Sequence, residues 1–248
     1  MGHSLPRKLL AEYLGSLSLA AVVIGSGIAA QTLSPHDVGL QLLENAAVTA
    51  LGLYTIILVF GPVSGGHFNP VVSLADSALG GLSWRHAAAY IPVQILGCVS
   101  GAALANAMYG GDLVSIATTD RASWPHGIGE VVATAGLLMV IFTLARTGRP
   151  HLTPAAVGSY IGAAYFFTSS TSFANPAITI GRVFSDTFAG IAPASVLPFI
   201  AAQLVGGAVA IALLRVLYPR PVADTGAASG RASASVPERR SITPGTTQ

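Results

Sequence analysis

Residues 64–74 read Ser64-Gly65-Gly66-His67-Phe68-Asn69-Pro70-Val71-Val72-Ser73-Leu74, and residues 170–180 read Ser170-Thr171-Ser172-Phe173-Ala174-Asn175-Pro176-Ala177-Ile178-Thr179-Ile180. Asn is a strong helix N-cap and Pro suits the first helical position, so each Asn-Pro box opens a helix. The apolar stretches that follow, roughly 69–79 and 175–185, fall short of the about 20 residues a membrane span needs. Each therefore reads as a re-entrant half-helix, about 15 Å long if it runs for about 10 residues. Two such halves entering from opposite faces meet N-terminus to N-terminus at the midplane and make one pseudo-continuous span. A single Asn-Pro also marks ordinary turns. It is the pair that carries the reading.

The composition agrees with a membrane setting. Apolar residues make up 52% of the 248-residue chain and charged residues 9%, against about 25% charged in soluble domains. The 28 glycines suit close helix packing in lipid. A net charge of +2 gives no reason to invoke nucleic acid. The single cysteine, Cys98, lies in an apolar run and reads as a buried, inert thiol.

Six stretches are long and apolar enough to span: about 8–30, 39–61, 84–108, 126–147, 153–170 and 194–217. The first contains Glu12 and no clear cleavage site, so it reads as a span and not a signal peptide. Arg7, Lys8, Arg85, Arg146, Arg149, Arg215, Arg220, Arg231, Arg239 and Arg240 fall on one side, with Arg121 and Arg182 left for the other. The positive-inside rule then predicts a multi-pass protein of the inner (plasma) membrane with both termini in the cytoplasm. Residues 219–248, rich in Ala, Ser, Gly, Pro, Thr and Arg, read as a disordered cytoplasmic tail after a channel domain over 1–218.

The two halves share one order: an acidic residue (Glu12, Glu130), an Asn-Pro box, then Gln-x-x-Gly (Gln94 to Gly97, Gln203 to Gly206). Three spans per half invert the second repeat, over about 126–217, relative to the first, over about 8–108. Inverted repeats place the working site at their interface near the midplane. The expected fold is an all-α membrane protein of six transmembrane helices and two re-entrant half-helices.

Half-helix N-termini facing each other raise a positive potential that repels cations and protons. Each Asn caps its own helix with its oxygen and has NH2 donors for a permeating oxygen. The extended segments before the boxes are tolerated at that depth only where they line a water-filled path. Their carbonyls, at Gly65, Gly66, His67, Phe68, Thr171, Phe173 and Ala174, are expected to form an acceptor ladder. Glu12 and Glu130 have two readings, proton coupling or a brace for the loop N–H groups, and their symmetric placement favours the brace. His67 is expected both to line the cytoplasmic mouth and to steady its loop. No histidine has the partners of a metal site, and no cofactor is expected.

The boxes, the two glutamates and the two Gln-x-x-Gly segments together resemble the aquaporin (major intrinsic protein) family over about residues 8–217. That resemblance implies boxes made of Asn69-Pro70-Val71 and Asn175-Pro176-Ala177, and homotetramers in which each protomer has its own pore. It also implies, by spacing from the boxes, an outer filter of Thr49, Ala163, Ser172 and Ile178. The family usually has Ala where this chain has Val71, and Arg where it has Ile178. Small side chains and no arginine at that position imply a wide, uncharged filter. Arg182, one helical turn beyond Ile178, either snorkels to the interface, the plainer reading, or puts a displaced charge in the outer vestibule.

The expected function is a passive channel for small uncharged solutes: neutral metalloid acids such as arsenous acid, glycerol-like polyols, urea and water. A water-selective pore is the alternative within the class. A proton-coupled secondary transporter using Glu12 and Glu130 is the alternative outside it. Neither a paired nucleophile and base nor a phosphate loop suggests an enzyme.

Overall fold

The computed structural model describes residues 3–219, so the reading of 219–248 as a tail lies, apart from Pro219, outside the described residues. The first half comprises α1 (Leu5–Leu33), α2 (Val38–Ser64), α3 (Pro70–Ala78) and α4 (Trp84–Met108). The second comprises α5 (Trp124–Arg146), α6 (Thr153–Phe167), α7 (Pro176–Gly181) and α8 (Pro193–Leu217). Among the described residues there is no strand. Asp37, Ser83 and Ser123 cap α2, α4 and α5 through their side chains, accepting from Leu40, His86 and His126 N–H.

α1, α2, α4, α5 and α8 are each long and apolar enough to cross a bilayer. α6 has 15 residues, about 22 Å at the usual helical rise. The 3-10 turn Pro150–Leu152 runs directly into it and brings the pair to about 28 Å, near the thickness of the hydrocarbon core. This sixth span stops three residues earlier than its apolar run suggests, because Thr168 is already extended. The second half-helix is also short. α7 has six residues and continues as the 3-10 turn Arg182–Phe184.

Polarity is arranged as lipid requires. Leu51, Leu96, Leu197 and Val216 are exposed, while Glu12, Gln94, Glu130 and Gln203 are fully buried. The first and third spans of each repeat pack most closely, α1 on α4 and α5 on α8. The glycines of the two Gln-x-x-Gly segments make that approach possible. A Cβ at Gly97 would lie 2.5 Å from the Tyr13 carbonyl oxygen, and one at Gly206 would lie 2.6 Å from that of Val131. Tyr13 follows Glu12 as Val131 follows Glu130, so both crossings occur at the same register. Both half-helices pack against α4 and α8, α7 mainly against α4 of the other repeat and α3 somewhat more against α4 of its own.

Candidate pore

Asn69 and Asn175 are the N-caps of α3 and α7. The Asn69 side-chain oxygen accepts from Val71 N–H at 2.9 Å; that of Asn175 accepts from Ala177 N–H at 2.9 Å and Ile178 N–H at 3.3 Å. Each amide also reaches across. Asn69 Nδ2 donates to the Ala174 carbonyl at 2.7 Å, and Asn175 Nδ2 donates to the Phe68 carbonyl at 2.8 Å. One hydrogen of each NH2 is therefore engaged, and one remains for the path, where two per Asn were expected.

Phe68 and Ala174 both adopt left-handed backbone, with φ of 47° and 49°. For residues other than Gly this costs about 1–3 kcal/mol. The surroundings fix it from both sides: the opposite Asn holds the carbonyl and a glutamate holds the N–H. Glu12 accepts from Phe68 N–H at 2.7 Å, His67 N–H at 3.0 Å, Ser64 Oγ–H at 2.6 Å and Gln94 Nε2–H at 2.8 Å. Glu130 accepts from Phe173 and Ala174 N–H, both at 2.9 Å, and from Gln203 Nε2–H at 2.6 Å. Gln94 and Gln203 each use the same nitrogen to reach α3 or α7, at Ser73 Oγ (3.0 Å) and Thr179 Oγ1 (2.9 Å). Both carboxylates thus face loop backbone, in the arrangement of a brace.

A cavity of about 610 Å³ runs past the two asparagines. Gly65, Gly66, His67, Asp76, Pro150 and His151 line one end, and Tyr165, Ser172, Phe173 and Arg182 the other. Of the expected filter positions, Thr49, Ser172 and Ile178 are in its wall. Ala163 is not: it is exposed, on the opposite face of α6. Val157, Ile161 and Tyr165 line the cavity instead, at the i, i+4, i+8 spacing of one helix face. Counting back from the Asn-Pro box crossed the irregular segment 168–175, whose path the count could not register. The helical period within α6 was the signal that could have found Tyr165. Its hydroxyl lies 3.2 Å from Thr49 Oγ1. Of the residues named for the carbonyl ladder, not all are in the cavity wall. Gly65, Gly66, His67, Phe68 and Phe173 line the cavity, whereas Thr171 and Ala174 do not.

Arg182 does not snorkel. It is 3% exposed and in the cavity wall. Its guanidinium carbon lies 3.5 Å from the centroid of the Phe173 ring, and its Nε donates to the Ala189 carbonyl. A desolvated stack of this kind contributes about 2 kcal/mol. Arg121, from the segment between α4 and α5, lies 5.4 Å from the same ring and donates to the carbonyls of Gly190 (2.8 Å) and Phe188 (3.0 Å). At the other end His67 makes contacts through both its ring and its backbone. Its ring lines the cavity between Ser73 Oγ (3.0 Å) and Asp76 Oδ2 (3.5 Å), while Glu12 holds its backbone N–H. Among the described residues no group of His, Cys, Asp and Glu is placed to hold a metal.

Six spans, two half-helices joined at paired asparagines and a cavity threading between them define an aquaporin-type membrane channel. The family profile described as Major intrinsic protein matches residues 2–174, ending one residue before the second Asn. The chain is 41% identical over 220 residues to Aquaglyceroporin AqpS of Rhizobium meliloti (strain 1021), covering 88% of this chain and 94% of that protein. It is 32% identical over 183 residues to human Aquaporin-9, covering 64% of this chain and 61% of that one. The solved structure of the aquaglyceroporin from Plasmodium falciparum superposes with a TM-score of 0.68 at 20% identity, over 87% of this chain and 98% of that one. The chain belongs to the major intrinsic protein family.

Proposed function

We propose that the chain is a passive channel for small uncharged solutes that carry several oxygens: glycerol-like polyols, urea and neutral metalloid acids such as arsenous acid, together with water. The observation that carries this is the cavity wall itself. It is continuous from Gly65 past both asparagines to Arg182, largely apolar, and punctuated by hydroxyls at Thr49, Tyr165 and Ser172. A mostly apolar wall with a few placed polar groups suits a solute with both a carbon skeleton and hydroxyls. The first-named relative is an aquaglyceroporin, which favours polyols over water alone.

The Asn-Pro boxes act as the central barrier, and Thr49, Ser172 and Ile178 with Tyr165 as the outer filter. Ile178 itself contributes no donor, so at its own position a solute meets only an aliphatic wall, and the polar contacts of this level come from its neighbours Thr49, Tyr165 and Ser172. Glu12 and Glu130 act as braces. Each has both oxygens occupied by loop or glutamine donors, and neither lines the cavity, which weighs against a proton-coupled transporter. The protein works in the plasma membrane as a homotetramer with cytoplasmic termini.

The test is permeation of water, glycerol, urea and arsenous acid into liposomes containing the protein or Ile178→Arg. The unmodified protein should pass all four, and Ile178→Arg should shift the profile toward water. Passage of water alone by the unmodified protein would return the reading to a water-selective pore.

A further inference from the structure

We propose that Arg182 is the cation of the outer constriction: its guanidinium, held flat on Phe173, bars cations and offers donors to the oxygens of a neutral solute. This rests on reading the cavity as the solute path. Two independent observations carry it. One is how the guanidinium is held. Its face is stacked 3.5 Å from the Phe173 centroid and its Nε donates to the Ala189 carbonyl. Arg121, on the same ring, ties down the neighbouring carbonyls of Phe188 and Gly190, so the loop presenting Ala189 is itself anchored. The side chain is thus fixed in the cavity wall, and neither Nη group meets a protein acceptor among the described residues.

The other observation is Ser172. Its Oγ is buried, lies in the same wall, and has no hydrogen-bond partner among the described residues. Buried hydroxyls are normally satisfied, so an unpartnered one on a residue of the cavity wall is available to a solute that passes it. A neutral polyol or oxyacid fits both groups at once: one oxygen accepts from Arg182 Nη–H while a hydroxyl on the same molecule meets Ser172 Oγ. A cation such as methylammonium has no lone pair to accept from Arg182 and is repelled by its charge. Among the described residues the only ion pair is that of His67 with Asp76, at the other end of the cavity. The Arg182 charge is therefore unneutralised by contact, and in a narrow low-dielectric path it opposes any second positive charge.

Proteoliposomes are compared for glycerol and methylammonium entry at mildly acidic pH, where methylamine is protonated. The proteins are wild type, Arg182→Ala, Arg182→Gln and Arg182→Lys; Gln retains a donor for the Ala189 carbonyl if Ala fails to fold. Wild type should pass glycerol and exclude methylammonium. Ala and Gln should raise the methylammonium-to-glycerol ratio by about tenfold or more, with Lys restoring exclusion by charge. Monodisperse Ala or Gln protein that passes glycerol at an unchanged ratio overturns the proposal. So does free methylammonium entry through wild type. Failure of both Gln and Lys to fold overturns it as well, by assigning Arg182 to the scaffold. Wild-type glycerol entry no faster than in empty liposomes is a different result: it sinks the channel reading beneath the proposal.

Discussion

Asn69 and Asn175 are joined by a reciprocal exchange in which each donates to the carbonyl just before the other, at 2.7 and 2.8 Å. Neither half-helix is therefore held at the midplane by its own repeat alone. The same side chain caps one helix and anchors the opposite loop, so a substitution at either Asn acts on both halves.

Asn175→Ala should lose the cap of α7, about 0.5–2 kcal/mol, and strand the buried Phe68 carbonyl at about 1–3 kcal/mol more. The expected result is a clear drop in thermal unfolding temperature in detergent and reduced glycerol flux. Asn175→Ser retains a capping oxygen but lacks the reach to Phe68, and should fall between. A Ser variant as stable as wild type would show that the cross-link contributes nothing, and equal stability of the Ala and Ser variants would show the same of the cap.

Glu130→Gln should behave as a broken brace. One carboxylate oxygen becomes an NH2 that confronts an N–H of Phe173 or Ala174, or the Gln203 amide. Each charge-assisted bond lost costs about 1.5–3 kcal/mol. Yield and thermal stability should fall, while the flux per folded channel remains indifferent to a proton gradient. A variant as stable as wild type with altered pH dependence of flux would restore the proton-carrying reading.

Gly97→Ala and Gly206→Ala should destabilise by about 1–3 kcal/mol each, because the new methyl lands on a carbonyl oxygen of the facing span. Gly127 is the control: a Cβ there meets nothing within 4 Å, although the residue lies within α5. Gly127→Ala should be neutral or slightly stabilising. Thermal melts of the three variants check this directly. Similar losses at all three would mean that the glycines act through backbone conformation and not through close approach.

Asp120 supplies a pH-dependent tether outside the spans. It accepts from Ser195 Oγ–H at 2.6 Å and from Ala122 N–H at 2.9 Å, and these bonds, the first above all, hold its carboxyl below the usual range. A carboxyl depressed by folding stabilises fully above its unfolded value, and that contribution fades as pH falls through the folded one. Asp120→Asn should therefore melt below wild type at neutral pH, with the gap closing in acid. A gap that widens on acidification would contradict the assignment.

Much of this molecule was legible in its sequence because the relevant rules are local. An Asn-Pro box specifies a capped helix start wherever it lies, and two of them in inverted halves locate the midplane. The glutamates and Gln-x-x-Gly segments were readable as pairs, and the structure gives them matching contacts at matching registers. What failed was distance reckoned across irregular backbone. Ala163 was placed by counting through residues 168–175, which follow no helical rise, so the face of α6 came out wrong and Tyr165 was missed. Arg182 was left between two readings, interface or vestibule, for another reason. Whether a terminal arginine turns outward to the interface or inward depends on what receives it, and Phe173 and Ala189 come from opposite sides of α7 in the chain.

The most direct test of the central claim is the initial rate of glycerol entry into proteoliposomes as external glycerol is raised, with and without an imposed proton gradient. A fixed pore predicts a rate that rises in proportion to concentration and ignores the gradient. Entry that saturates and collapses when the gradient is removed would contradict it and favour a transporter driven through Glu12 and Glu130.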